Sequence, residues 1–248
     1  MPRFLSLVAF AALTLLSWGS SANSAQPLSA SQTASVNKLI HDYILAHPEI
    51  VIEALQEGEQ KADGAKEAAA ASALAQHQKE LLQDPDSPVL GNPNGTVTLV
   101  EFFDYRCPYC KSSAASVTEL IRSDPKLRVV MKELPVLGPE SVFASRIALA
   151  AARHGTYAAF HDAVLAYKGA LDNDKTLDIA RSLGLDPTKL QKEAADPAIT
   201  ANIQSDLDLA RTLGIDGTPT FVVGDDIIPG VLSLDDLKQA VADARAKP

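Results

Sequence analysis

The junction between one apolar run and one cysteine pair constrains this chain more than any other feature. Val97-Thr98-Leu99-Val100-Glu101-Phe102-Phe103 is rich in β-branched and aromatic residues and reads as a buried strand. A short turn follows, and Cys107-Pro108-Tyr109-Cys110 then opens a helix. Cys107 falls at the N-cap and Pro108 at the first helical position, which proline favours. Cys110, Ala114, Val117 and Ile121 recur at helical spacing, which predicts Cys110 on the buried face and Cys107 at an exposed tip. Unpaired amides and the positive end of the helix dipole around Cys107 favour a thiolate there. Cys107 is therefore the candidate nucleophile, and Cys110, on the same turn, the candidate resolving thiol.

The chain has no other cysteine. A bridge across two intervening residues closes too small a loop to restrain the unfolded chain much, so a structural staple is a poor reading of the pair. Structural zinc normally takes four protein ligands. Neither a second Cys-x-x-Cys nor a close histidine pair is present; His154 and His161 are separated by Gly155 and read as ordinary helix residues.

Arg3 is the only charge before the apolar run from Phe4 to Leu16, and small polar residues follow, with cleavage expected after Ala22 or Ala25. This pattern predicts a secretory leader over residues 1–25 and an oxidising compartment for the two cysteines. No other segment is long and apolar enough to span a membrane. The formal net charge is −9, and losing Arg3 with the leader makes it more negative. An overall positive field for nucleic acid is thereby excluded.

Past the leader, Val36, Leu39, Ile40, Tyr43 and Ile44 form an amphipathic helical stripe. Pro48 interrupts it, and Ile50, Val51, Ala54 and Leu55 resume it in a second short helix. Two such helices cannot bury these faces alone and must pack on the main domain or on copies of themselves; the polar stretch that follows favours copies, and so an N-terminal oligomerisation segment over residues 26–57. The stretch that follows is rich in Ala, Glu, Gln and Lys, with Gly58 and Gly64 interrupting its first half. It reads as a solvent-bridging helical linker over residues 58–88, about 40 Å long from Gln56 to Leu82 if fully helical.

Asp84-Pro85-Asp86-Ser87-Pro88 marks the entrance to the main domain, residues 89–248. Val89-Leu90 reads as a short strand and Asn94-Gly95 as a hairpin signal. Leu127 to Leu134 is a second long strand, and a helical block of about residues 140–214 follows. Thr218-Pro219 then leads into Thr220-Phe221-Val222-Val223, Ile227-Ile228 starts a last strand, and Ser233 with Asp236 resembles a capping box for a final helix.

Strand, Cys-x-x-Cys helix, strand, helical block, Pro-led strand, strand and helix together resemble an α/β thioredoxin fold with an inserted helical domain. The resemblance is to the DsbA-like thiol-disulfide oxidoreductases. Glu101 to Cys110 carries it, together with Gly217-Thr218-Pro219-Thr220-Phe221. The stretch from Leu39 to Leu55 resembles the N-terminal segment of the suppressor of copper sensitivity protein C group, some members of which trimerise through this region and isomerise disulfides. Tyr109 between the cysteines and Thr218 before the proline are also similar to the periplasmic isomerases.

The resemblance implies roles for further residues. Pro219 is expected to be cis and to lie against the cysteine pair, exposing the Thr218 backbone for strand addition by a substrate segment. Glu101, on the strand face of Leu99 and Phe103, is similar to the family's buried acid, which passes a proton to or from the resolving thiol. Lys132 on the adjacent strand is expected either to be its partner or to form a structural ion pair. Arg106 is expected either to favour the Cys107 thiolate or to be a solvated loop residue. The resemblance further implies a periplasmic protein with no cofactor beyond a redox-active Cys107–Cys110 disulfide. Its expected partners are cysteine-containing client proteins, a membrane-bound thiol reductase and copies of itself, as a trimer through residues 30–57. Three functions stay open: an oligomeric disulfide isomerase or reductase, a DsbA-type dithiol oxidase, and a Cu(I)-binding protein using Cys107 and Cys110 as soft ligands.

Overall fold

A computed structural model describes residues 27–247; the expected leader lies outside them. The chain divides into two compact units, one ending at Gln60 and one beginning at Lys61.

The first unit holds α1 (Ala30–Ala46) and the beginning of α2 (Glu49–Gln76). Ser29 starts α1 with a reciprocal capping box to Gln32, and Pro48 separates the two helices. No residue of α1 is buried. Val36, Leu39, Ile40, Tyr43, Ile44, Ile50, Val51 and Leu55 all present their apolar side chains to solvent. The second helix is not short: it runs 28 residues, straight through Gly58 and Gly64. Two exposed helical glycines cost roughly 1 kcal/mol each, which the surrounding Ala, Glu, Gln and Lys residues tolerate.

The second unit is built on a five-stranded sheet in the order β1-β3-β2-β4-β5. Its strands are β1 (Val89–Gly91), β2 (Val97–Phe103), β3 (Leu127–Glu133), β4 (Thr220–Val223) and β5 (Asp226–Pro229). The central pair β2 and β3 is parallel and every other pairing is antiparallel. Because β3 lies between them, β1 and β2 form no hairpin, contrary to the Asn94-Gly95 signal. The glycine answers a different need. A Cβ on Gly95 would lie 2.6 Å from the Lys126 carbonyl oxygen and the Arg128 nitrogen, so the chain passes too close to the start of β3 for a side chain.

Strand alternation gives β2 two buried faces. Leu99 and Phe103 pack with Val129, Met131 and Phe221 beneath α4 (Pro108–Ser123) and α10 (Leu234–Ala246). Val100 and Phe102 pack with Val130 and Val222 on the other face. There they meet Leu209, Ala210 and Leu213, from α9 (Pro197–Thr212) and the residue capping it. Leu74 and Leu81 join this second cluster, from the end of α2 and from α3 (Gln78–Leu82). The expected linker is therefore not solvent-bridging throughout: its last two turns bury leucines on the main domain. Between β3 and β4 stand α5 (Pro139–Ala152), α6 (Tyr157–Ala166), α7 (Asn173–Ser182), α8 (Pro187–Ala194) and α9. Aspartates 172, 186 and 196 cap α7, α8 and α9 through their side chains, with Pro187 and Pro197 opening the last two.

Candidate active site

The Cys-x-x-Cys pair sits where β2 hands over to α4. Cys107 is the helix N-cap and Pro108 the first helical residue. Cys110 faces inward with Val117 and Leu120, and is fully buried. Both cysteines are free thiols. Contrary to the exposed tip expected for it, Cys107 is only 3% accessible. The cause is a distant segment: the Cys107 Sγ donates to the Thr218 carbonyl oxygen at 3.2 Å, and Thr218–Pro219 is a cis bond. Past it, the Gly230 amide donates to the Pro219 carbonyl at 2.8 Å, anchoring the loop to the end of β5. Tyr109, between the cysteines, is exposed.

Asp104 organises the approach to Cys107. Its buried carboxylate accepts from the Arg106 amide at 2.7 Å, the Ser141 hydroxyl at 2.8 Å and the Leu137 amide at 3.0 Å. Arg106 is neither a solvated loop residue nor a free charge beside the thiol. Its guanidinium is held 2.7 Å from Glu140 and donates to the Leu137 carbonyl.

Glu101 is 2% exposed, and burial pushes its carboxyl up to about 8. The Cys110 thiol is pushed far above its usual range, first by burial and then by the charge of Glu101. The two groups therefore feel one another. Lys132 is not Glu101's partner. The parallel register sets Glu101 beside Met131 and Phe102 beside Lys132, which sends the lysine to the opposite face. There its ammonium lies 2.8 Å from Asp84 and 2.9 Å from Asp206.

A buried polar cluster in this region went unread in the sequence. Glu133 accepts from Ser145 at 2.7 Å and Tyr157 at 3.0 Å, and Tyr105 reaches both Glu133 and the Nδ1 of His161. Burial pushes Glu133 up to about 8 and His161 down to about 3. His161 had a legible signal: with Tyr157, Phe160, Val164 and Leu165 it completes the inward stripe of α6. Glu133 had none, since a lone acid in a strand is usually a solvent-facing residue.

Among the described residues, no group of three or more His, Cys, Asp or Glu is placed to hold a metal ion. A Cu(I) ion at this site would have the Cys107 and Cys110 thiolates as its protein donors, a set chemically suited to that soft ion.

Residues 98–242, more than half of the chain, match the family described as DSBA-like thioredoxin domain. The chain belongs to the DsbA-like thioredoxin family. Residues 32–63 separately match the copper resistance protein ScsC N-terminal domain. A linker-deletion mutant of Proteus mirabilis ScsC is 31% identical, with a TM-score of 0.68 over 91% of this chain and 100% of that one. A thioredoxin-like oxidoreductase from Silicibacter pomeroyi is 46% identical, with a TM-score of 0.67 over 68% of this chain and 98% of that one. Among curated proteins, the Na(+)/H(+) antiporter NhaA 1 of Salinispora arenicola is 34% identical over 166 residues, 66% of this chain. The chain spans only 26% of that relative's length. Among the described residues no helix is long and apolar enough to cross a membrane. The chain's domain is of the DsbA/ScsC thiol-disulfide oxidoreductase type.

Proposed function

We propose that the protein is an exported, periplasmic and oligomeric disulfide isomerase or reductase. The observation that carries this reading is the unburied apolar stripe of α1 and early α2, on the segment that matches the ScsC N-terminal domain. Apolar side chains of this size contribute roughly 1.5–3 kcal/mol each when buried. Copies of the chain, as a trimer, would bury them and bring several cysteine pairs to one client.

In the proposed reaction the Cys107 thiolate attacks a client disulfide, forming a mixed disulfide and freeing one client thiolate. That thiolate attacks another client disulfide and displaces a second client thiolate, which attacks the client sulfur of the mixed disulfide, so that Cys107 leaves with the electron pair of the broken bond. Where the complex stalls, Cys110 attacks Cys107; the client departs reduced and the protein is left with a Cys107–Cys110 disulfide. A membrane-bound thiol reductase then returns two electrons to the pair. Thr218, beside the cis Pro219, offers backbone groups for an extended client segment, and Glu101 exchanges a proton with Cys110.

One observation favours a second reading, a dithiol oxidase. A Glu101 carboxyl pushed up to about 8 is mostly protonated at neutral pH, and so is poised to protonate Cys110 as that sulfur leaves a disulfide. Scrambled ribonuclease separates the two. The full mature protein should be oligomeric and restore activity, and a variant lacking residues 26–57 should be monomeric and restore none. Oxidation of reduced ribonuclease by two monomeric proteins, without rescue, would establish the oxidase instead.

A further inference from the structure

Asp104, the first residue after β2, meets both cysteines with its main chain. Its carbonyl accepts from the Cys107 amide at 3.1 Å, and its own amide donates to the Cys110 sulfur. Burial, and then the charge of Glu101, push the Cys110 thiol up; the Asp104 amide works against them. That amide shares a peptide unit with the Phe103 carbonyl, which accepts from the Leu134 amide at 2.8 Å. The unit is thus held at its oxygen and aimed at Cys110 by its N–H, and a hydrogen bond at one end polarises the other. The Asp104 side chain fixes the turn around this unit. It is fully buried, and the only cation of the turn, Arg106, pairs with Glu140 instead. A buried carboxylate with no cation beside it is costly unless hydrogen bonds satisfy it. Three do, from three separate segments: Oδ1 accepts from the Arg106 amide and from the Ser141 hydroxyl in the first turn of α5, and Oδ2 from the Leu137 amide in the loop after β3. Bonds to an ionised acceptor are stronger than those a neutral turn residue would make.

We propose that Asp104 is a positioning residue for disulfide exchange: its carboxylate locks the turn so that the peptide unit between Phe103 and Asp104 aims its N–H at Cys110 and stabilises the charge that forms on that sulfur. The proposal rests on Cys110 being the resolving thiol. When a client thiolate attacks Cys107 in the Cys107–Cys110 disulfide, a bond forms between Cys107 and the client sulfur. The Cys107–Cys110 bond breaks, and its electron pair stays on Cys110, where the Asp104 N–H receives it. In the reverse step the Cys110 thiolate, held by the same donor, attacks Cys107 and displaces the client thiolate. A donor fixed in advance needs no reorganisation when the charge appears.

The test uses the full mature protein, oxidised, with glutathione as the attacking thiol. Reaction is stopped by acid, and the disulfide, mixed-disulfide and dithiol forms are counted by mass. Asp104→Ala should slow release of Cys110 by about tenfold or more, the order of one hydrogen bond to a charged group. Asp104→Asn keeps an oxygen for the Arg106 and Ser141 donors and gives up only the bond to Leu137, so it should recover most of the rate. Ser141→Ala removes one donor to Asp104 and should slow the same step by a smaller factor. Glu140→Gln frees the Arg106 guanidinium while all three donors to Asp104 stay, and should release Cys110 at the parental rate. Alkylation of Cys107 in the reduced Asp104 and Ser141 variants should fall by less than Cys110 release does. Parental release in both Asp104→Ala and Ser141→Ala overturns the proposal. So does faster release in Asp104→Asn, which would mean that the cysteines feel the charge of Asp104 and not the hydrogen bonds it collects. Equal losses at both cysteines in Asp104→Ala, without recovery in Asp104→Asn, would make Asp104 merely structural and also overturn it. If Asp104→Ala does not fold, Ser141→Ala decides, parental release counting against the proposal. Loss of a preformed glutathione adduct from Cys110→Ser at the parental rate, with no thiol added, would overturn the role of Cys110 itself and the proposal with it.

Discussion

The Sγ of Cys107 and the carbonyl oxygen of Thr218, 111 residues apart in sequence, lie 3.2 Å from each other. This contact buries the N-terminal thiol and places the cis Pro219 loop where a client sulfur must arrive. The two cysteines are thereby made unequal, one at the helix end under the Thr218–Pro219 loop and one on the inner face of α4. Cys107→Ser should abolish exchange with any disulfide substrate. Cys110→Ser should still attack client disulfides through Cys107 and accumulate mixed disulfides, seen as adducts on non-reducing gels. Equal trapping by both variants would contradict the assignment.

Burial of Glu101 links redox chemistry to stability. Its carboxyl is pushed from an ordinary 4.5 up to about 8, so the folded state holds a proton that the unfolded chain releases. That contribution is complete below about pH 4.5 and is lost as pH rises to about 8. Glu101→Gln removes the loss. The variant should be more stable than the parent at pH 8 by on the order of a few kcal/mol, with the difference shrinking toward pH 4.5. Urea titrations of the dithiol form, followed by circular dichroism, measure it. Glu133, also pushed up to about 8, leaves a residual slope in the variant.

Local features of this site were legible in the sequence because they depend on neighbours in the chain. The apolar run, the Cys107 N-cap, Pro108 and the inward spacing of Cys110 needed nothing else. Features set by register or by distant segments were not. Whether Lys132 or Met131 lies beside Glu101 depends on a one-residue choice of register between β2 and β3, and each strand is apolar enough to accept either. The burial of Cys107 depends on Thr218, and the anchoring of the linker depends on Leu74 and Leu81, two leucines in a polar helical stretch with no apolar stripe to announce them.

Lys132 serves the assembly of the domain. It joins β3 to Asp206 of α9 and to Asp84, where the chain enters the main domain. Removing the ammonium leaves Asp206 buried without its counter-ion, a change that typically costs about 3–5 kcal/mol. Lys132→Met should therefore destabilise the protein by that order, and more at pH 8 than at pH 5. Asp206, already pushed up to about 6 by burial, can become neutral at the lower pH. Exchange rates at temperatures where the variant is folded should stay near parental. A selective loss of the Cys110 step would instead return Lys132 to the proton pathway.

The apolar stripe offers the sharpest separation of assembly from chemistry. Ile40 and Ile44 stand one turn apart on α1 and are both exposed, as are Leu39 and Tyr43, the residues just before each of them. Placing Glu at 40 and 44 sets two charges on the face proposed to meet other copies. Isoleucines buried there contribute roughly 1.5–3 kcal/mol each. Losing both weakens association by over a hundredfold, since about 1.4 kcal/mol is tenfold in affinity. Ile40→Glu with Ile44→Glu should lower the mass by light scattering to that of one chain and remove rescue of scrambled ribonuclease. Reduction of a small disulfide through Cys107 should proceed at the parental rate, because nothing at the cysteine pair has changed. An unchanged mass would mean that this face is covered in some other way, and the isomerase reading would lose its support.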